Sequence, residues 1–421
     1  MRVLLSGANG FIGGQLLAGL TARGHAVVAA VRDPQALRRK MPDAEAIAVD
    51  FNRDLSPETW RPRLTGIDAV INCAGVLQGG RGQDIEAVHA TAPIALFEAC
   101  RQAGVFKVVQ ISAISADTEV GTPYALTKKR ADDYLRSLPL DWTVLRPSLV
   151  YGEGSYGGTS TLRGLAGLPL ITPLVGGTTA AFRPIHIDDL VETVARVLDG
   201  GFARRTLEPV GPETLSLRDV VAKYRRWLGV PPAWEASLPL PLLRLAARLA
   251  DWAGGGPMGS AGLAQTLAGN AGHEPDGAFA QEIGFVPASM DERLARRAAQ
   301  TQDLWHARLY FLRPALRIAL AAMWLGSAAL GLLTPPALYA AIAAPWVAWL
   351  FSAIDLLIGL ALVTRTKPRL VGLAQLVIVG GYTFGLTLLA PSLWLDPYGG
   401  LLKNLPILAA VLAWMALEEE R

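Results

Sequence analysis

The chain has 421 residues, 51% hydrophobic and 18% charged, with a formal net charge of +3. That length admits two or three domains, and the apolar balance is high for a wholly soluble protein. So small a charge, with no basic run interleaved with aromatics, excludes nucleic acid as a partner.

The apolar excess is concentrated late in the chain. From Ile318 to Thr364 the only charged residue is Asp355, whereas the preceding part carries charge at ordinary density. A soluble part followed by a membrane part is expected. Cys73 and Cys100 lack metal-ligand spacing, so no metal site is expected and both read as reduced thiols of a cytosolic domain. Val3-Leu4-Leu5 begins structure at once, so no signal peptide is expected and the soluble part is placed on the cytoplasmic side.

The first stretch alternates strands and helices. Val3 to Ser6 reads as a strand, followed by a glycine turn and a helix from Phe11 to Arg23 that Gly24 ends. Further strands are expected at Ala26 to Val31, Ala46 to Val49, Ala69 to Asn72, Lys107 to Ser112 and Trp142 to Arg146. Strands separated by helices imply βαβ units and a parallel sheet covered on both faces. The expected class is therefore α/β, a doubly wound Rossmann fold over residues 1–200. A small substrate lobe and linker follow over 201–306, interleaved with 151–180. In that lobe Gly152 to Thr161 reads as a loop, Asp188 to Leu198 as a helix, and Ser216 as the cap of a helix from Leu217 to Leu228. Pro241 to Trp252 is amphipathic, with Arg244 and Arg248, and reads equally as a membrane-surface helix or a core-facing one. The run Gly254 to Gly256 and the stretch Gly269 to Gly277 read as loop.

Residues 307–421 read as an all-α domain of four transmembrane helices, at 314–333, 345–364, 370–390 and 399–417, each near the ~20 residues a bilayer requires. Arg308, Arg313 and Arg317 precede or open the first span. Arg365, Lys367 and Arg369 fill the loop between the second and third, while the loop around Ala337 has no charge. The positive-inside rule then places both termini in the cytoplasm of a multi-pass inner-membrane protein.

The sharpest motif is Gly7-Ala8-Asn9-Gly10-Phe11-Ile12-Gly13, set between a strand and a helix. Glycines there permit a tight turn and let backbone approach a pyrophosphate resting on the helix N-terminus. Further on, Tyr124-Ala125-Leu126-Thr127-Lys128 puts a phenol and an ammonium on one helical face. The ammonium favours phenolate, so Tyr124 is a candidate acid–base group beside Lys128.

These motifs resemble the extended and atypical short-chain dehydrogenases/reductases, the NAD(P)-dependent epimerase/dehydratase-like branch. The resemblance covers about the first three hundred residues. It implies that Gly7, Asn9, Gly10, Phe11, Ile12 and Gly13 hold the dinucleotide. It also implies that Asn72-Cys73-Ala74-Gly75 lines the cofactor and that Asp50 meets the adenine amine. Leu145-Arg146-Pro147-Ser148 and Pro184 to Asp189 carry it further, with Pro147 beside the cofactor. Tyr124 and Lys128 match the family's catalytic pair and touch the cofactor as well. The second strand ends Ala30-Val31-Arg32, with no acid before Asp33. Arg32 suits the 2′-phosphate of NADP, with NAD the lesser expectation.

The catalytic serine of the family falls on Ala113 here. Ser112 or Ser115 is left to take its place, and Ser112 is carried as the candidate. Members with this Ser-Ala pattern include relatives of the dehydrogenase-like accessory subunit of respiratory complex I. His186 reads first as a structural residue holding the Asp188-Asp189 turn, while Phe182 and Arg183 are candidates to reach a substrate.

Asp396-Pro397-Tyr398-Gly399-Gly400-Leu401-Leu402-Lys403-Asn404-Leu405-Pro406 resembles the end of DoxX-like membrane domains. Asp355, midway along the second span, is expected to face the bundle. It is read either as a structural carboxyl bonded to Tyr382 or Thr383 or as a functional site. The expected function is an oxidoreductase or epimerase-like enzyme acting on a lipid-soluble or membrane-associated molecule, such as a quinone, an isoprenoid or a lipid-linked sugar. The alternative is an NADPH-binding assembly or regulatory factor for a membrane complex.

Overall fold

The structure is a computed structural model. It describes residues 1–421 except 78–83, 118–120, 155–156, 253–257, 336–337, 339–343, 398 and 419–421. Gly254 to Gly256, Ala337 and Tyr398, singled out above, lie outside the described residues.

The chain divides into two compact units, Met1–Ala307 and Arg308–Arg421. In the first, seven strands form one sheet among the described residues: β1 (Arg2–Ser6), β2 (Ala26–Val31), β3 (Glu45–Ala48), β4 (Ala69–Asn72), β5 (Lys107–Ile111), β6 (Asp141–Leu145) and β7 (Arg205–Leu207). All pairings are parallel, in the order β7-β6-β5-β4-β1-β2-β3. The seventh strand comes from beyond residue 200, so the sheet draws on the stretch assigned to the second lobe.

Strands buried on both faces must be apolar at successive positions. Val3, Leu4 and Leu5 are such a run: Val3 and Leu5 join one core cluster and Leu4 the other. The first cluster is closed by α1 (Phe11–Ala22) and α5 (Ile187–Asp199), through Leu16, Leu17, Leu20, Val191 and Val194. The second is closed by α3 (Ala92–Ala103) and α4 (Pro123–Ser137), through Leu96, Phe97, Ala131 and Leu135. The short helix α2 (Pro34–Lys40) follows β2. Because strand order reverses between β1 and β4, the loops leaving their C-terminal ends part and open a crevice.

After the sheet come α6 (Leu240–Trp252) and α7 (Ser260–Ala268). The helix α8 (Thr301–Leu333) begins in the first unit and continues into the second, followed by α9 (Pro345–Val363), α10 (Pro368–Leu389) and α11 (Asn404–Glu418). Three described helices, Thr301–Leu333, Trp346–Val363 and Pro368–Leu389, are long and apolar enough to cross a membrane. The fourth differs from expectation. It has 15 residues, about 22 Å against the ~30 Å of a bilayer core. Its expected first residues form a turn instead: Gly399 takes a left-handed φ of 66°, and Asp396 Oδ2 accepts the Gly400 N–H at 3.1 Å.

The bundle core is built from Leu320, Trp324, Ile358, Leu362, Val379, Val411 and Trp414. Asp355 is buried and accepts from Ser327 Oγ at 2.6 Å and from Tyr382 OH at 3.4 Å. Thr383 donates instead to the Val379 carbonyl and accepts from Asn404 Nδ2.

Candidate functional site

The loop after β1 is shaped by contacts that exclude side chains. Gly7 has φ 68°, and a Cβ there would stand 2.7 Å from the Cys73 carbonyl oxygen. A Cβ on Gly13 would collide with the Gly7 carbonyl. The end of β4, the loop and the first turn of α1 are thus in direct backbone contact. Gly10 precedes α1 with no side-chain cap and no acid in the first turn, which leaves the helix's first N–H groups open to an anion. Beneath the loop, Ser6 Oγ bridges β1 and β4, donating to Asn72 Oδ1 at 2.5 Å and accepting from the Cys73 N–H at 3.1 Å. Phe11 and Ile12 are half-buried and Asn9 is exposed.

At the end of β2, Arg32 is exposed. The acid beside it is already used: Asp33 Oδ1 accepts the Ala36 N–H at 2.9 Å as the N-cap of α2. Asp50 holds its own turn. Its Oδ1 accepts from Asn52 N at 3.0 Å and Asn52 Nδ2 at 3.1 Å, and Arg53 lies 3.5 Å from Oδ2.

Tyr124 and Lys128 are brought together at the C-terminal ends of β4 and β5. Thr122 Oγ1 caps α4 by accepting the Ala125 N–H at 3.2 Å, and Pro123 opens the helix, where its fixed φ suits the first helical position. Lys128 Nζ donates to Ile111 O at 2.9 Å and Ala74 O at 3.4 Å, which also places it beside Gly75. Burial holds the Lys128 ammonium below its usual pKa, opposed by the Asp132 carboxylate. Burial first, then Asp132 and Cys73, push the Tyr124 phenol up to about 12. The sequence reading had Lys128 lowering the phenol; burial outweighs it, and the phenol stays protonated at neutral pH. Burial also pushes the Cys73 thiol up to about 12, which keeps it a neutral wall of the crevice.

A residue without a motif joins them. His89 lies on a π-helical turn, Ala87–Thr91, a distortion common at functional sites. Its Nε2 accepts the Val76 N–H at 2.9 Å. Its Nδ1 faces Thr127 Oγ1 at 3.1 Å, and that hydroxyl donates to Pro123 O at 2.6 Å. The network assigns the imidazole proton to Nδ1. Burial, then Lys128, hold the His89 pKa down to about 2, so the ring is neutral. It meets the Tyr124 ring edge-on, with centroids 5.2 Å apart.

Ser112 is turned to another task. Its Oγ donates to Asp132 Oδ2 at 2.7 Å, and Arg146 Nε donates to the same oxygen at 3.1 Å, with all three residues buried. Ser115 is buried, and so is Ala113 at the family's serine position. Ser112→Ala is therefore expected to cost about 1–3 kcal/mol, because a buried carboxylate loses a donor, while nucleotide occupancy stays unchanged. Apparent melting temperature and bound nucleotide per chain, measured on the detergent-solubilised protein, check this. Lost occupancy at unchanged melting would count against it.

The other expectations sort plainly. Pro147 is buried just past β6. His186 Nδ1 accepts the Asp188 N–H at 3.2 Å as the N-cap of α5. Phe182 is buried in a separate core cluster with Tyr151, Leu217 and Tyr224. The Arg183 guanidinium donates to the carbonyls of Gly211 and Glu274, and so holds backbone.

Comparison with known proteins places this geometry. The NAD(P)H-binding family matches residues 7–165, and the DoxX-like family matches 319–412. Over 282 residues the chain is 31% identical to 3-diazoavenalumate denitrifying reductase of a Streptomyces species, covering 60% of this chain and 88% of that one. The chain belongs to the short-chain dehydrogenase/reductase family, epimerase type. This reductase-family chain is also 27% identical to the photosystem II assembly factor Ycf39 of Guillardia theta, over 58% of its own length and 75% of the relative's. In fold it is similar to dTDP-glucose 4,6-dehydratase from Streptomyces venezuelae with NAD bound. The TM-score is 0.55 at 19% identity, over 73% of this chain and 97% of that one. The crevice fits a nicotinamide dinucleotide: backbone packed against Gly7 and Gly13 leaves no room for a Cβ and keeps the turn tight, and the α1 N-terminus it leads into carries no cap of its own.

Proposed function

We propose that this protein is a membrane-tethered, NADPH-dependent reductase or epimerase-like enzyme whose substrate is lipid-soluble. The observation that carries the reading is Tyr124, a phenol packed edge-on against His89 and one helical turn from Lys128, whose ammonium is anchored at the end of β5. When bound, NADPH would supply the hydride that reduces a substrate carbonyl. Tyr124 gives its proton to the carbonyl oxygen, which leaves an alcohol. Lys128, anchored on Ile111 O and Ala74 O, holds the nicotinamide ribose and offsets charge on the phenolate that remains. His89 keeps the Tyr124 ring in place and stays neutral while it does so. Gly7, Asn9, Gly10, Phe11, Ile12 and Gly13 hold the pyrophosphate, with Cys73, Ala74, Gly75 and Pro147 lining the nicotinamide side and Asp50 the adenine side.

Arg32 sets the choice of NADPH over NADH, because the neighbouring acid is committed to capping α2. Arg32→Ala is expected to weaken NADPH five- to a hundred-fold and NADH little. A charged contact at such an exposed site supplies about 1–3 kcal/mol. Titration of both nucleotides in mild detergent tests it; equal losses would sink the assignment. Mass spectrometry of the nucleotide and lipid that co-purify tests the wider reading.

The charges at Arg308, Arg313, Arg317, Arg365, Lys367 and Arg369 support a multi-pass inner-membrane protein with the cofactor unit in the cytoplasm. A second reading, an NADPH-binding assembly or regulatory factor, is favoured by one observation. Ala113 stands where the serine belongs, and Ser112 is bonded to Asp132.

A further inference from the structure

The helix α6 turns leucines outward. At about 100° per residue, Leu242, Leu245 and Leu249 fall within roughly 60° of one another, and they are 52%, 55% and 62% exposed. The opposite side does the packing: Ala247 is buried, and the helix lies against α7. Arg244 and Arg248, both exposed and one turn apart, run along one border of the leucine face. A helix that met only water would carry polar residues there. Stacked leucines edged by arginines suit an acyl boundary with anionic headgroups. The strand Trp234–Leu238 that leads into α6 begins with a tryptophan 84% exposed, paired with Ile171.

We propose that α6 docks the cofactor-binding unit on the anionic lipid surface of the membrane that this chain's apolar helices enter. The tether makes the occupant specific. A bilayer is within reach of this unit at all times, and the arginine border selects its anionic face. The docked helix also lies close to the proposed chemistry. Gln265 of α7 donates from Nε2 to Thr122 Oγ1 at 2.9 Å, and Thr122 caps α4 just ahead of Tyr124. A lipid-soluble molecule leaving the bilayer beside α6 therefore has one helix to pass before that cap. The docking itself rests on the tether and the leucine face, not on the reductase reading.

The test uses the full chain in nanodiscs of phosphatidylcholine, with or without phosphatidylglycerol. A fluorescent amino acid is incorporated at position 245, and at exposed position 35 as the control. Emission at 245 is expected to shift to the blue and to be quenched several-fold by spin-labelled lipid, more strongly with phosphatidylglycerol. Position 35 is expected to stay water-like. Arg244→Glu with Arg248→Glu should remove the dependence on anionic lipid. A water-like, unquenched signal at 245 overturns the proposal. A blue shift without lipid quenching overturns it too, since protein would then cover the face, either the membrane unit or a second copy. The readout needs no turnover, so its failure and that of the reductase reading are separable.

Discussion

Tyr124→Phe is expected to keep its nucleotide and lose turnover by about 10²–10⁴-fold, the range that a positioned acid–base group supplies. The phenyl ring retains the edge contact with His89 and removes the only proton the proposed step delivers. Lys128→Ala should behave differently, weakening nucleotide binding as well, since its ammonium ties the ends of β4 and β5 together. The sign of the pH effect follows from the phenol's position. A proton donor whose pKa is pushed up to about 12 is fully loaded through neutrality, and reduction should decline only as alkaline pH strips it. Complementation of a deletion strain by each variant, with nucleotide occupancy measured in parallel, decides between the two functions. Full rescue by an occupied Tyr124→Phe protein rules out the catalytic reading; loss of rescue at full occupancy rules out a purely structural one.

What the sequence revealed and what it concealed divide along a physical line. The parallel sheet was legible because strands buried on both faces must be apolar at successive positions, as Val3 to Leu5 are. The glycine loop was legible because backbone contact leaves Gly7 no tolerance for a side chain. The Tyr124 and Lys128 spacing is a property of one helix. By contrast, His89 enters the site from 35 residues upstream of Tyr124, through a π-helical turn that no local pattern marks. The bond of Ser112 to Asp132 joins a strand end to a helix interior, and only packing specifies it. The fourth apolar stretch looked long enough to span because hydropathy counts Gly399 to Leu402, whereas the backbone spends them on a turn. Arg183, a candidate to reach a substrate, instead donates to the carbonyls of Gly211 and Glu274, partners distant in sequence that only packing specifies.

The cofactor loop offers the sharpest paired test. Gly13→Ala is expected to lower nucleotide affinity by more than a hundred-fold, roughly 3 kcal/mol or beyond by the usual conversion of ratios to free energy. The added Cβ would collide with the Gly7 carbonyl and press on Ala8 Cα at 3.0 Å. Both are backbone atoms and cannot rotate aside, so the turn must open and the pyrophosphate cradle with it. The sheet beneath should survive, since the register of β1 on β2 and β4 does not depend on the loop. Gly14→Ala is the control. Its Cβ would sit 3.6 Å from Ala8 O, an ordinary contact, and replacing a helical glycine by alanine stabilises by about 0.5–1 kcal/mol. That variant should bind normally and melt slightly higher. Nucleotide titration followed by NADPH fluorescence reads the first quantity and thermal unfolding the second. Wild-type affinity in Gly13→Ala would mean that the dinucleotide does not rest on this turn, and the placement of every residue assigned around it would fall with that result.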